Sequence, residues 1–114
     1  MSERIKKLRD WGCDINGAFE RFLNDQELYN ECLLMFVDDD NIKELEKHIN
    51  DENQQVPFIL VHTLKGVSGN LGITPLYKSL VVLCESLRNN KYDKNSDEYN
   101  KVDKNLKKFL EIMK

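Results

Sequence analysis

The sequence predicts an all-α fold, an antiparallel four-helix bundle with one or two short N-terminal helices lying across one end. The helix formers Leu, Glu and Lys dominate the composition, and the chain has only two prolines. Apolar residues recur at helical spacings in several segments, which polar connections separate. The 114 residues suffice for one hydrophobic core, so we expect a single domain over residues 1–114.

Two short helices are predicted ahead of the bundle. Residues 3–11 have an amphipathic pattern, and Gly12 can end that helix. Asp14 can cap a second helix, which carries an apolar face and ends near Asn24. We expect this second helix to cover an edge of the core.

The next two predicted helices differ in how firmly the sequence defines them. The longer covers about residues 26–50, starting from Asp25. Its weak point is Asp38-Asp39-Asp40-Asn41, because short polar side chains compete for backbone hydrogen bonds and can bend or break a helix. Pro57 suits the first turn of a helix over 57–71, where its missing N–H costs little.

The last two helices complete the predicted bundle. Thr74 and Pro75 are expected as the N-cap and first residue of a helix that fades at Asn89-Asn90. A polar surface loop over 91–97 precedes the last helix, whose apolar residues run from Tyr99 to Met113. The buried stripe of the first of these helices is predicted to contain Leu76, Leu80, Leu83, Cys84 and Leu87.

The charge pattern argues against several classes of function. The net charge of -3 comes from 20 acidic and 17 basic residues mixed along the chain, so no basic stripe indicates nucleic acid binding. No apolar run approaches the roughly 20 residues that span a bilayer, and the N-terminus has no signal-peptide core. We therefore expect a cytoplasmic protein without membrane insertion or nucleic acid partners, and we expect a monomer.

The three cysteines are widely spaced, which predicts reduced, mostly buried thiols and no metal site.

The segment from Phe58 to Gly72 contains the residues that can carry chemistry. On a helix of about 100° per residue, four of its apolar residues fall within about 60° of one another. The predicted core stripe comprises Leu60, Leu64, Val67 and Leu71. The opposite, outward side carries His62, Lys65, Gly66 and Gly69.

These outward residues suggest a reactive surface. Two glycines inside a helix cost on the order of 2 kcal/mol relative to alanines, so Gly66 and Gly69 need another reason to be there. They would leave bare backbone beside His62, where a partner could bring a bulky group close. A neutral imidazole has a nucleophilic nitrogen, and Lys65 one turn away would supply a positive charge near an anion on that ring. Phosphoryl transfer needs mainly such positioning and charge neutralisation.

The run His62-Thr63-Leu64-Lys65-Gly66-Val67-Ser68-Gly69-Asn70-Leu71-Gly72 resembles the signature of histidine-containing phosphotransfer (HPt) domains. The family motif has His, any residue, a hydrophobic residue, Lys and Gly, and a hydrophobic residue and Gly close the turn. The resemblance extends over about residues 12–114, including the order of the helices.

The resemblance implies a role for each matching residue. It makes His62 the phosphoryl acceptor, Lys65 the charge partner of the phosphate and Gly66 the clearance for a partner. The implied docking residues are Gly66, Ser68, Gly69, Asn70 and Arg88. A polar residue on the neighbouring helix often hydrogen-bonds the histidine in this family, and that region here offers Cys84, Glu85 and Arg88.

The implied function is a phosphorelay. A receiver domain would donate phosphate from its aspartate to His62, and His62 would return it to another receiver. Response-regulator receiver domains are the implied partners, with a sensor histidine kinase as a further candidate. The chain would be a phosphohistidine intermediate with no ATP site and no cofactor of its own, the Mg²⁺ belonging to the receiver's acidic pocket.

Other interpretations explain less of the sequence. His48, near the end of the long acidic helix, is not followed by the Lys and Gly that follow His62, and it is expected to be solvent-exposed. Asp38-Asp39-Asp40 lacks the sheet of a receiver pocket, and a solvated or kinked helix is favoured over a metal site there. The segment starting at Asp93 fails as a calcium loop, because Glu98 and Lys104 stand where Gly and Glu are required.

Two rival functions stay open at this point. In the first, the chain is a helical adaptor whose glycine patch docks a partner while His62 is never phosphorylated. In the second, it is an enzyme acting alone on a small substrate, which is the weaker alternative because no second general acid or base accompanies His62. Phosphorylation of His62 by a receiver would separate the carrier from the adaptor.

Overall fold

The computed structural model describes residues 2–114, and over that range the chain forms seven α-helices and no strand. The predicted all-α class is confirmed; Met1, the predicted start of the domain, lies outside the described residues. The helices are α1 (Glu3–Trp11), α2 (Ile15–Arg21), α3 (Gln26–Val37), α4 (Asp40–His48), α5 (Gln55–Asn70), α6 (Thr74–Arg88) and α7 (Glu98–Met113).

The bundle is built around α5. This helix packs most extensively against α6 and then against α4, while α6 also packs against α7. The segment α3–α4 supplies the fourth member of the bundle, since α4 contacts α5 and α3 contacts α7. No helix within residues 2–114 is both long and apolar enough to cross a membrane.

The two short N-terminal helices are attached to one end of the bundle, as predicted. Arg4 donates a hydrogen bond to the carbonyl of Met113 at 3.1 Å, which ties α1 to the end of α7. The backbone N–H of Asp14 donates to the carbonyl of Gly72 at 2.8 Å, which ties the start of α2 to the end of α5. Both attachments lie where α5 and α7 end, so α1 and α2 cover that end.

The predicted helix signals of this region are found in place, except for one boundary. Gly12 ends α1 with a left-handed φ of 109°, and the Asp14 side chain accepts from the N–H of Gly17 at 3.0 Å. The second helix ends at Arg21 rather than near Asn24. The reason is that Leu23 and Asn24 adopt left-handed φ values of 53° and 61°, which no α-helix can continue.

The single long helix predicted over 26–50 is wrong, although its weak point is where it breaks. The third helix ends at Val37, and α4 begins at Asp40. The Asp39 side chain accepts from the N–H of Asn41 at 2.8 Å, so Asp39 is the N-cap of a new helix. A short acidic side chain satisfies the free N–H groups of a helix start better than it supports a helix interior.

Two further boundaries shift slightly. The fifth helix starts at Gln55, which places Pro57 at its third rather than its first residue. The N-cap of α6 is Ile73, so the prediction of Thr74 as N-cap is wrong by one residue. The Thr74 hydroxyl is used elsewhere, because it accepts from the N–H of Asp14 at 3.2 Å. The predicted buried stripe of α6 is confirmed at all five positions.

The buried face of α5 is wider than the predicted stripe. Leu64 and Leu71 are buried as expected, but Leu60 and Val67 are only partly buried. Val61 and Ser68 are fully buried instead. Because α5 packs against α4 on one flank and α6 on another, its contact face extends beyond the apolar stripe of the sequence.

Candidate functional site

His62 lies on the exposed side of α5, as the sequence predicts. Within the described residues, no hydrogen bond involves its ring, so both ring nitrogens remain free of protein partners. Its ring contacts the side chain of Phe58 one turn earlier, with centroids 5.8 Å apart and ring planes inclined by 49°. The imidazole is therefore accessible, and its protein neighbour is aromatic.

The surface beside His62 is open at Gly66. A β-carbon built on Gly66 would have nothing within 4 Å, and the residue is exposed. Lys65, at the i+3 position from His62, is partly exposed. Residues at this spacing are neighbours on a helix surface, so the cation and the bare backbone adjoin the imidazole.

Gly69 does not extend this bare patch, which corrects the prediction. A β-carbon on Gly69 would lie 3.1 Å from two ring carbons of Tyr77, so the tyrosine of α6 covers the backbone there. Gly69 thus allows the Tyr77 ring to pack closely against α5, a role that the spacing of the sequence does not indicate.

Ser68 also differs from its predicted place on a docking surface. The residue is 0% exposed, and its hydroxyl donates to the carbonyl of Lys65 at 3.0 Å. A hydroxyl can turn back onto its own helix in this way, which satisfies it in the interior. Its side chain therefore cannot contact a partner.

Asn70 is exposed, and its carbonyl is part of a tertiary cap on α5. The Arg21 guanidinium donates to the carbonyls of Asn70 and Gly69, both at 3.0 Å. The Gly69 carbonyl also accepts from the N–H of Gly72 at 3.2 Å, so Arg21 adds a second donor where the last carbonyls of α5 run out of helical N–H groups. Sequence reasoning missed Arg21, because no local pattern shows that α2 will bring it to this carbonyl pair.

Arg88 contacts Phe58, which in turn contacts His62. Its guanidinium carbon is 5.1 Å from the centroid of the Phe58 ring, and its Nε donates to Glu85 at 3.1 Å. Cys84 is buried and Glu85 accepts from Arg88, so within residues 2–114 none of the three candidates on α6 hydrogen-bonds the imidazole. Phe58 is the contact that sequence reasoning missed; its only signal was an aromatic residue four positions before His62.

A groove of about 510 Å³ borders this surface without including His62 in its lining. Lys65 and Gly66 of α5 line it together with Arg21 of α2 and Tyr77 of α6. On another flank of α5, an apolar groove of about 440 Å³ is lined by Val67 and by Met35, which is 72% exposed. Both grooves are shallow features of the surface around the histidine helix.

His48 is less free than predicted. Its Nδ1 lies 2.9 Å from a carboxylate oxygen of Asp51, and its Nε2 lies 3.6 Å from one of Glu44. Its side chain is only 38% exposed. The expectation of solvent exposure therefore holds only in part, because two acidic residues at helical spacing flank the ring.

The cysteines are free thiols, and Cys13 and Cys84 are buried as expected, while Cys32 is partly exposed. Burial raises the pKa of Cys13 to about 12, and a backbone hydrogen bond from Thr74 lowers it less. Between Ser2 and Lys114, no group of three or more His, Cys, Asp or Glu side chains is arranged to hold a metal ion.

The comparisons with known proteins agree with this arrangement. The family model described as Hpt domain matches residues 31–111, which is well over half of the chain. No curated protein and no solved structure gives a significant match. The matched residues include α5 with its exposed histidine, the neighbouring lysine and the open glycine. The chain therefore belongs to the Hpt domain family, whose role is phosphotransfer in two-component signalling.

Proposed function

We propose that His62 accepts a phosphoryl group from the aspartate of one receiver domain and passes it to the aspartate of another. The supporting observation is the exposed imidazole, which makes no hydrogen bond to residues 2–114, beside the open backbone of Gly66. A receiver must bring a phosphorylated loop within bonding distance of a ring nitrogen. A side chain at residue 66 would stand in that path, and none is there.

The proposed step is an in-line displacement at phosphorus. A neutral ring nitrogen of His62 attacks, an N–P bond forms, and the P–O bond to the aspartate breaks. The aspartate leaves as a carboxylate, and the ring N–H proton on the other nitrogen stays or is lost to water. The reverse displacement, by the carboxylate of a second receiver, restores the imidazole and leaves an acyl phosphate on that receiver.

Lys65 is the proposed charge partner of the phosphoryl group. Long side chains on a helix lean toward its N-terminus, which directs the Lys65 ammonium toward the turn of His62. A compact ammonium placed there would stabilise the charge on the equatorial oxygens during transfer. The chain would need no metal of its own, since the acidic pocket of the receiver is where Mg²⁺ binding is expected.

A protein partner suits this surface better than a small substrate. His62 lies on an open helix face rather than inside an enclosed pocket, so it could not exclude water from a small substrate by itself. The exposed Met35 and the apolar groove it lines offer contact area for a receiver on the flank of α5. The partner would then supply most of the enclosure.

The decisive experiment is phosphoryl transfer from a purified receiver domain labelled on its aspartate. The native chain should acquire label that is acid-labile and stable in alkali, as expected for phosphohistidine. The variant His62→Gln should acquire none, and the control His48→Gln should be labelled at the native rate. Label retained in His62→Gln, or a native chain that no receiver labels, would contradict the proposal and leave the adaptor function.

A further inference from the structure

The histidine has an aromatic neighbour that the motif does not explain. Phe58 lies one turn before His62 on α5, and its ring centroid is 5.8 Å from that of the imidazole. Aromatic pairs attract at centroid separations of 4.5–7 Å, so this distance is a contact. The Phe58 side chain is itself partly buried and packs against the hydrophobic core.

Phe58 is in turn held by α6. The Arg88 guanidinium lies over its ring at 5.1 Å, and Arg88 also donates a hydrogen bond to Glu85 at 3.1 Å. A cation over an aromatic face within about 6 Å is attractive. Contacts therefore run continuously from Arg88 in the last turn of α6 through Phe58 to the His62 ring.

An exposed histidine on a helix otherwise keeps considerable freedom. Helical side chains lean toward the N-terminus, which places the imidazole over the turn that contains Phe58. The part of the chain from Ser2 onward offers the ring no hydrogen bond, so its orientation must come from packing. Transfer between two proteins needs the nitrogen aligned with the phosphorus, and a freely rotating ring would be aligned only part of the time.

We propose that Phe58 is a positioning residue for His62, which holds the imidazole in the orientation that a receiver's phosphoryl group meets. Arg88 acts through Phe58 by keeping its ring in place. This inference rests on the proposed function, because the orientation matters only if His62 exchanges phosphoryl groups.

The test compares Phe58→Leu and Phe58→Tyr with the native chain. The tyrosine keeps an aromatic face and should retain the native rate of transfer from a phosphorylated receiver. The leucine should slow transfer about 3- to 10-fold, the range that the loss of one aromatic contact supports. Phe19→Leu is the matched control, since Phe19 is a partly buried phenylalanine in contact with Tyr29 on another part of the molecule. It should transfer within about twofold of native, as substitutions away from a site usually do.

NMR supplies a readout that loss of stability alone would not move. In the native chain and in Phe58→Tyr, the His62 ring protons should show cross-relaxation with the aromatic ring at residue 58 and ring-current shifts. In Phe58→Leu these shifts should disappear, and the His62 couplings should indicate averaging over rotamers. In Phe19→Leu they should remain native.

A second variant tests the role of Arg88. Arg88→Gln should slow transfer by about twofold, because exposed cation–π contacts are weak. In the Phe58→Leu background, the same change should have no further effect. An equal effect of Arg88→Gln in both backgrounds would show that Arg88 acts independently of Phe58 and would overturn its role in holding the Phe58 ring.

The results that overturn the positioning role are separate from those that overturn the carrier. A native rate of transfer in Phe58→Leu, or His62 ring resonances that do not change in that variant, overturns the role of Phe58 alone. A native chain that takes no phosphoryl group from any receiver overturns the proposed function and this inference with it.

Discussion

The two halves of the segment His62–Gly72 differ in what surrounds them. The first half, His62–Gly66, buries only Leu64; within residues 2–114 its imidazole makes no hydrogen bond, and its glycine has open space above it. The second half, Ser68–Gly72, is held by neighbours: Arg21 caps its carbonyls, and Tyr77 covers Gly69. Tyr29 of α3 also donates to the carbonyl of Leu71 at 2.7 Å.

Under the proposed function, this difference separates chemistry from support within one motif. Changes at His62, Lys65 and Gly66 should alter transfer with little effect on folding, because these residues lie at the surface. Changes in the second half should alter stability, because α2, α3 and α6 all meet there. The glycines make the contrast sharpest, since Gly66 has open space above it while Gly69 and Gly72 lie against other parts of the chain.

The largest predicted effect is the loss of stability in Gly72→Ala. Gly72 has a left-handed φ of 71°, and a β-carbon there would overlap the backbone carbonyl of Asp14. The left-handed conformation costs about 1–2 kcal/mol for an alanine, and the overlap adds a similar amount. We expect the free energy of unfolding to fall by about 3 kcal/mol in urea denaturation. A loss below about 1 kcal/mol, the size of an average substitution, would show that the second half is not tightly held.

The next effect is a loss of stability at alkaline pH. Burial raises the pKa of the Cys13 thiol from 9.0 to about 12, and burial raises the pKa of the Tyr29 phenol as well. The unfolded chain thus releases these protons at lower pH than the folded chain. The stability that the protonated Cys13 thiol contributes is fully present below about pH 9 and is lost as pH rises toward 12. We expect the free energy of unfolding to fall by on the order of 2 kcal/mol by pH 11.

Thermal unfolding between pH 8 and pH 11 checks this prediction. The midpoint of the native chain should fall steadily above pH 9. The variant Cys13→Ala, which cannot ionise there, should show a shallower decline from its own starting value. Parallel profiles for the two proteins would mean that Cys13 does not contribute.

Sequence reasoning succeeded where the determining contacts are local. Gly12 ends α1, Asp14 caps α2, and the acidic run breaks the long helix at Asp39, all through atoms a few residues apart. The outward position of His62 follows from helical periodicity alone.

It failed where another helix decides the outcome. Gly69 was predicted to face solvent, but Tyr77, eight positions later in the chain, covers it. The buried face of α5 includes Ser68 because two helices flank α5. Likewise, Arg88 meets Phe58 only because α6 returns alongside α5. Such pairs have no signal in the spacing of either segment.

The smallest predicted effect compares Gly66→Ala with Gly69→Ala. Alanine at residue 66 meets open space and should stabilise the chain by up to about 1 kcal/mol through helix propensity. At residue 69 the gain should be offset, because the Tyr77 ring must shift away from a contact at 3.1 Å. Thermal unfolding of both variants measures the difference, and equal stabilisation would remove the distinction between the two glycines.

The most direct test of the account treats the native chain with phosphoramidate, a small phosphoryl donor, and follows the imidazole and amide resonances by NMR. The free ring of His62 should become phosphorylated well before His48, whose nitrogens lie 2.9 Å and 3.6 Å from carboxylates. Amide shifts should concentrate around His62–Gly66 and leave Ser68–Gly72 nearly unchanged. Phosphorylation of His48 first, or shifts of equal size in both halves, would contradict the separation of chemistry from support.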